Sequence, residues 1–165
     1  MRRLILFRHS EAVRSSRFPD LERPLTDAGR KDAQRAAARL AELALPIDLA
    51  LISDSRRTVE TWELARAAFA APPEARMDHR LYEAERRDLM EVAREQPDSI
   101  NSFMFVGHNP SIAEFAGHLV GRGEKDAMKR LGKGFPTSGI AVFELDVAEW
   151  RKLRWGDGEL AFFLA

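Results

Sequence analysis

The chain predicts an α/β domain in three layers: a mostly parallel sheet with helices on both faces, closed by a β-rich C-terminal tail. Short, wholly apolar runs recur at Leu4-Ile5-Leu6-Phe7, Leu49-Ala50-Leu51-Ile52 and Phe103-Met104-Phe105-Val106. Such runs mark strands buried on both faces of a parallel sheet. Between them lie segments whose apolar residues fall at helical spacing. From Ile140 onward the pattern changes to short strand-like runs with glycine-containing turns.

Leu4-Ile5-Leu6-Phe7 is the first strand and runs directly into Arg8-His9-Ser10. The polar stretch 10–24, with Arg14, Arg17 and Arg23, is longer than a minimal connection. Long loops in compact domains are often functional, so this one is assigned to the site. Thr26 or Asp27 caps the first helix, whose stripe is Ala33, Ala37, Leu40 and Ala44, and Pro46 ends the segment. Gly29 in its first turn lowers helix propensity and points to close packing. After the second strand, Ser53-Asp54-Ser55 is a natural helix start, with Val59, Trp62, Ala65 and Phe69 as the apolar stripe and Ala71-Pro72-Pro73 as the break. Residues 77–85 are mixed, a short strand or a turn, and Leu89, Val92 and Ala93 mark a third helix ending before Pro97. The third strand runs into Gly107-His108-Asn109-Pro110, where proline suits a first helical turn. Ile112, Phe115, Ala116, Leu119 and Val120 form the fourth stripe. Residues 121–134 are rich in glycine and charge and are expected to form a surface excursion. Ile140-Ala141-Val142-Phe143, Lys152-Leu153-Arg154-Trp155 and Leu160-Ala161-Phe162-Phe163 are the expected tail strands.

The 165 residues fit one domain, 1–165, with room for a substantial core. With 26 basic and 26 acidic residues the charge balances, which argues against a dedicated nucleic-acid binder. The chain has no cysteine, so disulfides, zinc-thiolate sites and thiol catalysis are all excluded. Met1-Arg2-Arg3 begins like a secretion signal, but the apolar run ends at Arg8-His9, too soon for one. No segment approaches the length of a membrane-spanning helix. A soluble cytoplasmic protein with no membrane partner, acting as a monomer, is the expectation.

Ligands of open α/β sheets bind just beyond the carboxyl ends of the strands. That edge would gather Arg8 and His9 from the first strand, Arg57 from the helix after the second, and His108 from the third. Phosphoryl transfer needs charge neutralisation on the phosphoryl oxygens and an in-line nucleophile. Arginine supplies planar, permanent, bidentate donors, and a neutral imidazole can attack phosphorus. The four histidines form no His-Glu-x-x-His pattern, so no metal and no cofactor are expected.

These residues also carry a resemblance. Leu6-Phe7-Arg8-His9-Ser10 resembles the Arg-His-Gly signature of the histidine phosphatase superfamily, also called phosphoglycerate mutase-like. Ser53-Asp54-Ser55-Arg56-Arg57-Thr58-Val59-Glu60-Thr61 resembles its Ser-Pro-x-x-Arg-Ala-x-x-Thr segment, and Val106-Gly107-His108-Asn109-Pro110 its second-histidine motif. Arg23-Pro24-Leu25-Thr26-x-x-Gly29, Leu81-Tyr82-Glu83-Ala84 and Pro136-Thr137-Ser138-Gly139 extend the match over nearly the whole chain. The short length and these last segments resemble SixA-type phosphohistidine phosphatases. Ser10 stands where the family has glycine, and Asp54 where it has proline. Asp54 is expected to face solvent, because a carboxylate in the pocket would weaken phosphate binding.

The resemblance implies His9 as nucleophile, with Arg8, Arg57 and His108 holding the phosphoryl oxygens. Glu83 is the candidate general acid, or else a residue at the pocket edge, and Arg23 is the candidate substrate ligand. The expected substrate is phosphohistidine in a protein. Small phosphate esters or phosphoserine and phosphothreonine are the alternative, and a non-catalytic phosphate-binding module is the alternative of another class. Beside these roles stand plainer ones: Arg57 pairing with Glu60 or Glu63 on a helix surface, Arg23 as loop charge, and His79 and His118 as structural or surface residues.

Overall fold

The computed structural model describes residues 1–14 and 16–165. Seven strands form one mixed sheet: β1 (Arg2–Arg8), β2 (Leu49–Ile52), β3 (Glu74–Met77), β4 (Ser102–Gly107), β5 (Val120–Gly123), β6 (Ile140–Leu145) and β7 (Gly158–Leu164), in the order β3-β2-β4-β1-β6-β7-β5. Strands β3, β2, β4 and β1 run parallel to one another, whereas β6 is antiparallel to both β1 and β7. Helices α1 (Asp27–Ala41), α2 (Arg56–Ala65), α3 (Arg86–Arg94), α4 (Ser111–Leu119) and α5 (Lys125–Gly132) complete the α/β fold that the apolar runs predict.

The alternation of side chains along a strand builds the three layers. Ile5 and Phe7 of β1, Ala50 and Ile52 of β2, and Met104 and Val106 of β4 pack with Ala36, Ala37, Leu40 and Trp62 of α1 and α2. Leu4, Leu6, Leu49, Leu51, Phe103 and Phe105 face the other way, onto Leu89, Val92, Phe115 and Leu119 of α3 and α4. Both layers are closely filled: Trp62 is 2% exposed and Trp150 is fully buried, its indole N–H donating to the Ile100 carbonyl at 2.7 Å.

Register brings the functional ends level. Arg8 of β1 lies opposite Gly107 of β4, and Ile52 of β2 lies opposite Val106. The residues that follow these strands, His9, Ser53 and His108, therefore emerge side by side. Gly29 shows why the loop after β1 stays close to α1: a Cβ there would stand 2.1 Å from the Glu11 carbonyl oxygen, so only glycine admits that approach. Thr26 caps α1, its hydroxyl accepting from the Gly29 N–H at 2.9 Å.

Two expectations need correction. Residues 121–134 are not a bare excursion, because Val120 opens the edge strand β5, parallel to β7, and α5 buries Ala127 and Leu131. Glycines at 121 and 123 read as a loop, yet Gly121 lets the Gly156 carbonyl approach where a Cβ would lie 1.9 Å away. Lys152-Leu153-Arg154-Trp155 forms no strand, since a short 3-10 turn (Trp150–Lys152) inserts Trp150 into the core instead. Of the two forms expected for residues 77–85, the turn is found, as a 3-10 turn (His79–Leu81) that follows the edge strand Glu74–Met77.

Candidate active site

At the carboxyl ends of β1, β2 and β4 lies a cavity of about 420 Å³ lined by Arg8, His9, Arg23, Arg57 and His108, together with Glu11, Arg14, Asn109 and Thr137. The His9 and His108 rings stand 5.3 Å apart, and the His9 N–H donates to the Gly107 carbonyl at 3.0 Å. The buried Ser55 caps α2, placing Arg57 in its first turn with only 6% exposure. Behind the nucleophile candidate, the Ser10 N–H donates to Thr61 Oγ1 at 3.0 Å, and Ser10 Oγ lies 2.6 Å from Ser138 Oγ. The residue in the family's glycine position is thus fully buried and bonded on both its backbone and its hydroxyl.

Hydrogen bonding fixes the proton on the His9 ring and pairs the His108 ring with a hydroxyl. His9 Nδ1 lies 2.7 Å from the Ser10 carbonyl, which can only accept, so Nδ1 carries the proton and Nε2 keeps its lone pair. Burial holds this ring neutral and lowers its pKa from 6.5 to about 4; the Ser10 bond opposes that shift, while the charges of Arg57, Arg8 and Arg23 add to it. His108 is pushed down to about 3, by burial first and then by His9 and Arg57. Its Nε2 lies 2.7 Å from Ser53 Oγ. With that hydroxyl donating, the ring proton sits on Nδ1, which becomes a donor.

Among the buried side-chain atoms without a partner in the described residues, Arg8 Nε, Arg57 Nε and His108 Nδ1 belong to residues lining this cavity, beside the acceptor Asn109 Oδ1. Buried polar groups are nearly always bonded, so three orphaned donors on three residues lining one cavity suit an acceptor-rich guest. A tetrahedral oxyanion is such a guest, and guanidinium N–H groups bind it strongly. Other donors of these arginines are tied back. Arg8 Nη1 donates to the Phe135 carbonyl at 2.9 Å, and Arg57 Nη1 and Nη2 donate to the Asp20 carbonyl at 2.7 Å and to Asp20 Oδ2 at 3.1 Å.

Arg23, the candidate substrate ligand, lines the cavity while its Nε donates to the Val13 carbonyl at 2.8 Å and its Nη1 to Asp20 Oδ1 at 3.0 Å. The surface pairing considered for Arg57 belongs instead to Arg56, whose Nε donates to Glu60 Oε1 at 2.6 Å. Asp54 is exposed and outside the lining residues, its Oδ2 lying 2.8 Å from His79 Nδ1. Glu83 departs from its expected place: it is exposed and not among the residues lining the cavity. The backbone takes a φ of 53° there, and the preceding residue meets the site, the Tyr82 ring lying 5.7 Å from that of His108.

Sequence reasoning missed Asp20, Tyr82, Glu11 and the contact of Ser53 with His108. The long loop signals the first and third of these, but nothing in the pattern separates Asp20 from other surface acids. Among the described residues no group of three or more His, Cys, Asp or Glu stands where it could hold a metal ion. No helix among them is long and apolar enough to cross a membrane.

Residues 4–103 match the model of the histidine phosphatase superfamily (branch 1), and the chain belongs to that superfamily. Within it the structure is similar to proteins of the SixA type. One, from Agrobacterium tumefaciens and described provisionally as the phosphohistidine phosphatase SixA, superposes with a TM-score of 0.83 at 28% identity, over 99% of this chain and 97% of the other. A protein from Nakamurella multipartita given the same provisional description has a TM-score of 0.83 at 25% identity, over 99% and 95% of the two chains. An uncharacterised protein of Mycobacterium leprae is 31% identical over 161 residues, covering 94% of this chain and 97% of its own. Family and neighbours together make the chain a phosphatase.

Proposed function

We propose that this phosphatase hydrolyses phosphohistidine in a protein, through a phosphorylated His9 and without a metal. The observation that carries the reading is the pairing of the His9 Nε2 lone pair with the orphaned donors Arg8 Nε, Arg57 Nε and His108 Nδ1. In this mechanism those donors, with Arg23 at the rim, hold the phosphoryl oxygens and take up charge in the transition state. His9 Nε2 attacks phosphorus as the bond to the substrate's ring nitrogen breaks. Water then attacks phosphorus, the bond to Nε2 breaks, and inorganic phosphate leaves.

The leaving group favours phosphohistidine. An alkoxide needs a proton as it departs, whereas a phosphorylated imidazole protonated on its other nitrogen departs as neutral imidazole. Glu83, a candidate donor or pocket-edge residue from the sequence, stands exposed outside the cavity lining, which suits a substrate needing little acid assistance. The reading takes the chain to act as a cytoplasmic monomer with no cofactor. A second reading, hydrolysis of small phosphate esters or of phosphoserine and phosphothreonine, draws on Glu11, the one carboxyl side chain among the lining residues. Its Oε1 accepts from the Thr26 hydroxyl at 2.9 Å.

Parallel assays on a phosphohistidine protein, a phosphoserine peptide and small phosphate esters decide between them. Preference for the phosphohistidine protein, with little effect of Glu11→Gln, is expected. A preference for esters that Glu11→Gln abolishes would transfer the substrate to the second reading.

A further inference from the structure

We infer that Asp20 and Tyr82 form a latch that sets Arg57, Arg23 and the His108 ring in their phosphoryl-binding positions, so that Asp20 is a positioning residue of this site. The inference rests on the phosphoryl-site reading above. It comes from one side chain with three partners. Asp20 Oδ2 accepts from the Tyr82 hydroxyl at 2.6 Å and from Arg57 Nη2 at 3.1 Å, while Oδ1 accepts from Arg23 Nη1 at 3.0 Å. The Asp20 main-chain oxygen takes Arg57 Nη1 as well. Tyr82, held by that carboxylate, lies edge-on to His108 at an interplanar angle of 76°.

The alternative is that Asp20 competes with the phosphoryl group for the arginines. Position argues against it, because Asp20 is not among the residues lining the cavity. It grips the Nη edge of Arg57 and leaves Nε, the orphaned donor, to the site. A free arginine side chain has many rotamers, and fixing one before the substrate arrives removes an ordering cost from binding. Charge agrees with the geometry: the Tyr82 hydrogen bond first, and those from Arg23 and Arg57 after it, hold the Asp20 carboxyl well below the usual range despite the opposing effect of burial. Asp20 is therefore an ionised anchor and not a proton donor.

The test uses tungstate, a tetrahedral oxyanion, titrated calorimetrically into the full chain, alongside turnover of a phosphorylated substrate. Asp20→Ala should weaken tungstate binding about 10-fold and lower kcat/KM up to about 100-fold, as misplacing a binding group does. Asp20→Asn, which keeps shape and one acceptor, should recover part of both. In an Arg57→Ala background the same change should cost far less, because the two groups act as one unit. A purely structural Asp20 would lower Tm and leave tungstate affinity of the folded protein alone, which overturns the latch. Tighter tungstate binding in Asp20→Ala overturns it too, making Asp20 the competitor.

Tyr82→Phe removes a single hydroxyl and serves if Asp20→Ala does not fold; unchanged tungstate affinity there sinks the latch equally. Tyr82 is the only tyrosine in the chain, so ultraviolet titration reports its bond directly. The Asp20 bond pushes this phenol up to about 12, and Asp20→Asn should return it toward about 10. If wild-type protein binds no tungstate, the phosphoryl-site reading fails and the latch with it; if it binds and Asp20→Ala matches it, only the latch fails.

Discussion

The strand ends and the connecting loops meet at one cavity but hold their side chains in opposite ways. His9, Arg57 and His108 are buried, fixed by the register of β1, β2 and β4 and by bonds to Ser10, Asp20 and Ser53. Asp20, Arg14 and Glu83 are exposed, on segments with little core beneath them. The difference separates two tasks. Under the proposed function, the sheet fixes the atoms that would attack and hold phosphorus, and the loops set how those atoms are oriented and what reaches them.

His9→Ala breaks the first half of that comparison most severely. Turnover should fall by on the order of 10⁴-fold or more, as for other lost nucleophiles, while the fold and tungstate binding persist. Rapid quench with radiolabelled substrate should trap phosphate on the wild type and none on the variant. Turnover that survives in His9→Ala would falsify the nucleophile assignment.

Gly29→Ala strikes where the two regions join. Its Cβ would press on the Glu11 carbonyl oxygen, which also accepts the Thr26 N–H at 3.0 Å, so neither side can yield without shifting the loop after His9. Overpacking of this kind costs about 1–3 kcal/mol. Denaturant unfolding should show that loss, and kcat/KM should fall with it. A variant as stable and active as wild type would mean that the loop is not braced against α1.

The same division explains what was legible in the sequence. Leu4 to Phe7 and Phe103 to Val106 announce themselves because strands buried on both faces are apolar throughout, and the residues after such strands have only one place to go. Arg8, His9, Arg57 and His108 were legible for that reason. Exposed edges carry no such signal: every residue of β3 faces solvent, and β5 consists of Val120, two glycines and an arginine. Glu83 was misplaced because a carboxylate beside Leu81 and Tyr82 says nothing about the positive φ that turns the chain there. Asp20 was missed because its partners Arg57 and Tyr82 lie 37 and 62 residues away along the chain, a meeting only the tertiary fold arranges.

Acid titration sharpens the contrast, since the strand-end imidazoles are the groups whose protonation burial opposes. Between 6.5 and their folded values of about 4 and about 3, the unfolded chain takes up protons that His9 and His108 refuse. Stability should therefore fall as pH drops through that window and level off below it. Imidazole resonances followed by NMR should show both rings neutral at pH 6, titrating as a coupled pair. Arg57→Ala should move both values upward by removing one repelling charge, with burial still the larger cause. Rings that titrate near 6.5 would place the site in open solvent and remove the case for its orphaned donors.

Glu83→Gln should do least of all. The side chain is exposed, lies off the cavity lining and follows a backbone turn that gives Tyr82, not Glu83, to the site. If the leaving group is an imidazole, no carboxylic acid is needed and kcat should stay within about twofold, the range expected of surface substitutions. The informative measurement is the ratio of kcat on phosphohistidine to kcat on an ester, for wild type and variant in parallel. An unchanged ratio means that the exposed loops take no part in bond breaking, and the division between frame and loops holds. A loss of tenfold or more confined to the ester would mean that the segment after Leu81 closes over that substrate and delivers Glu83 to its oxygen, making the loop part of the chemistry.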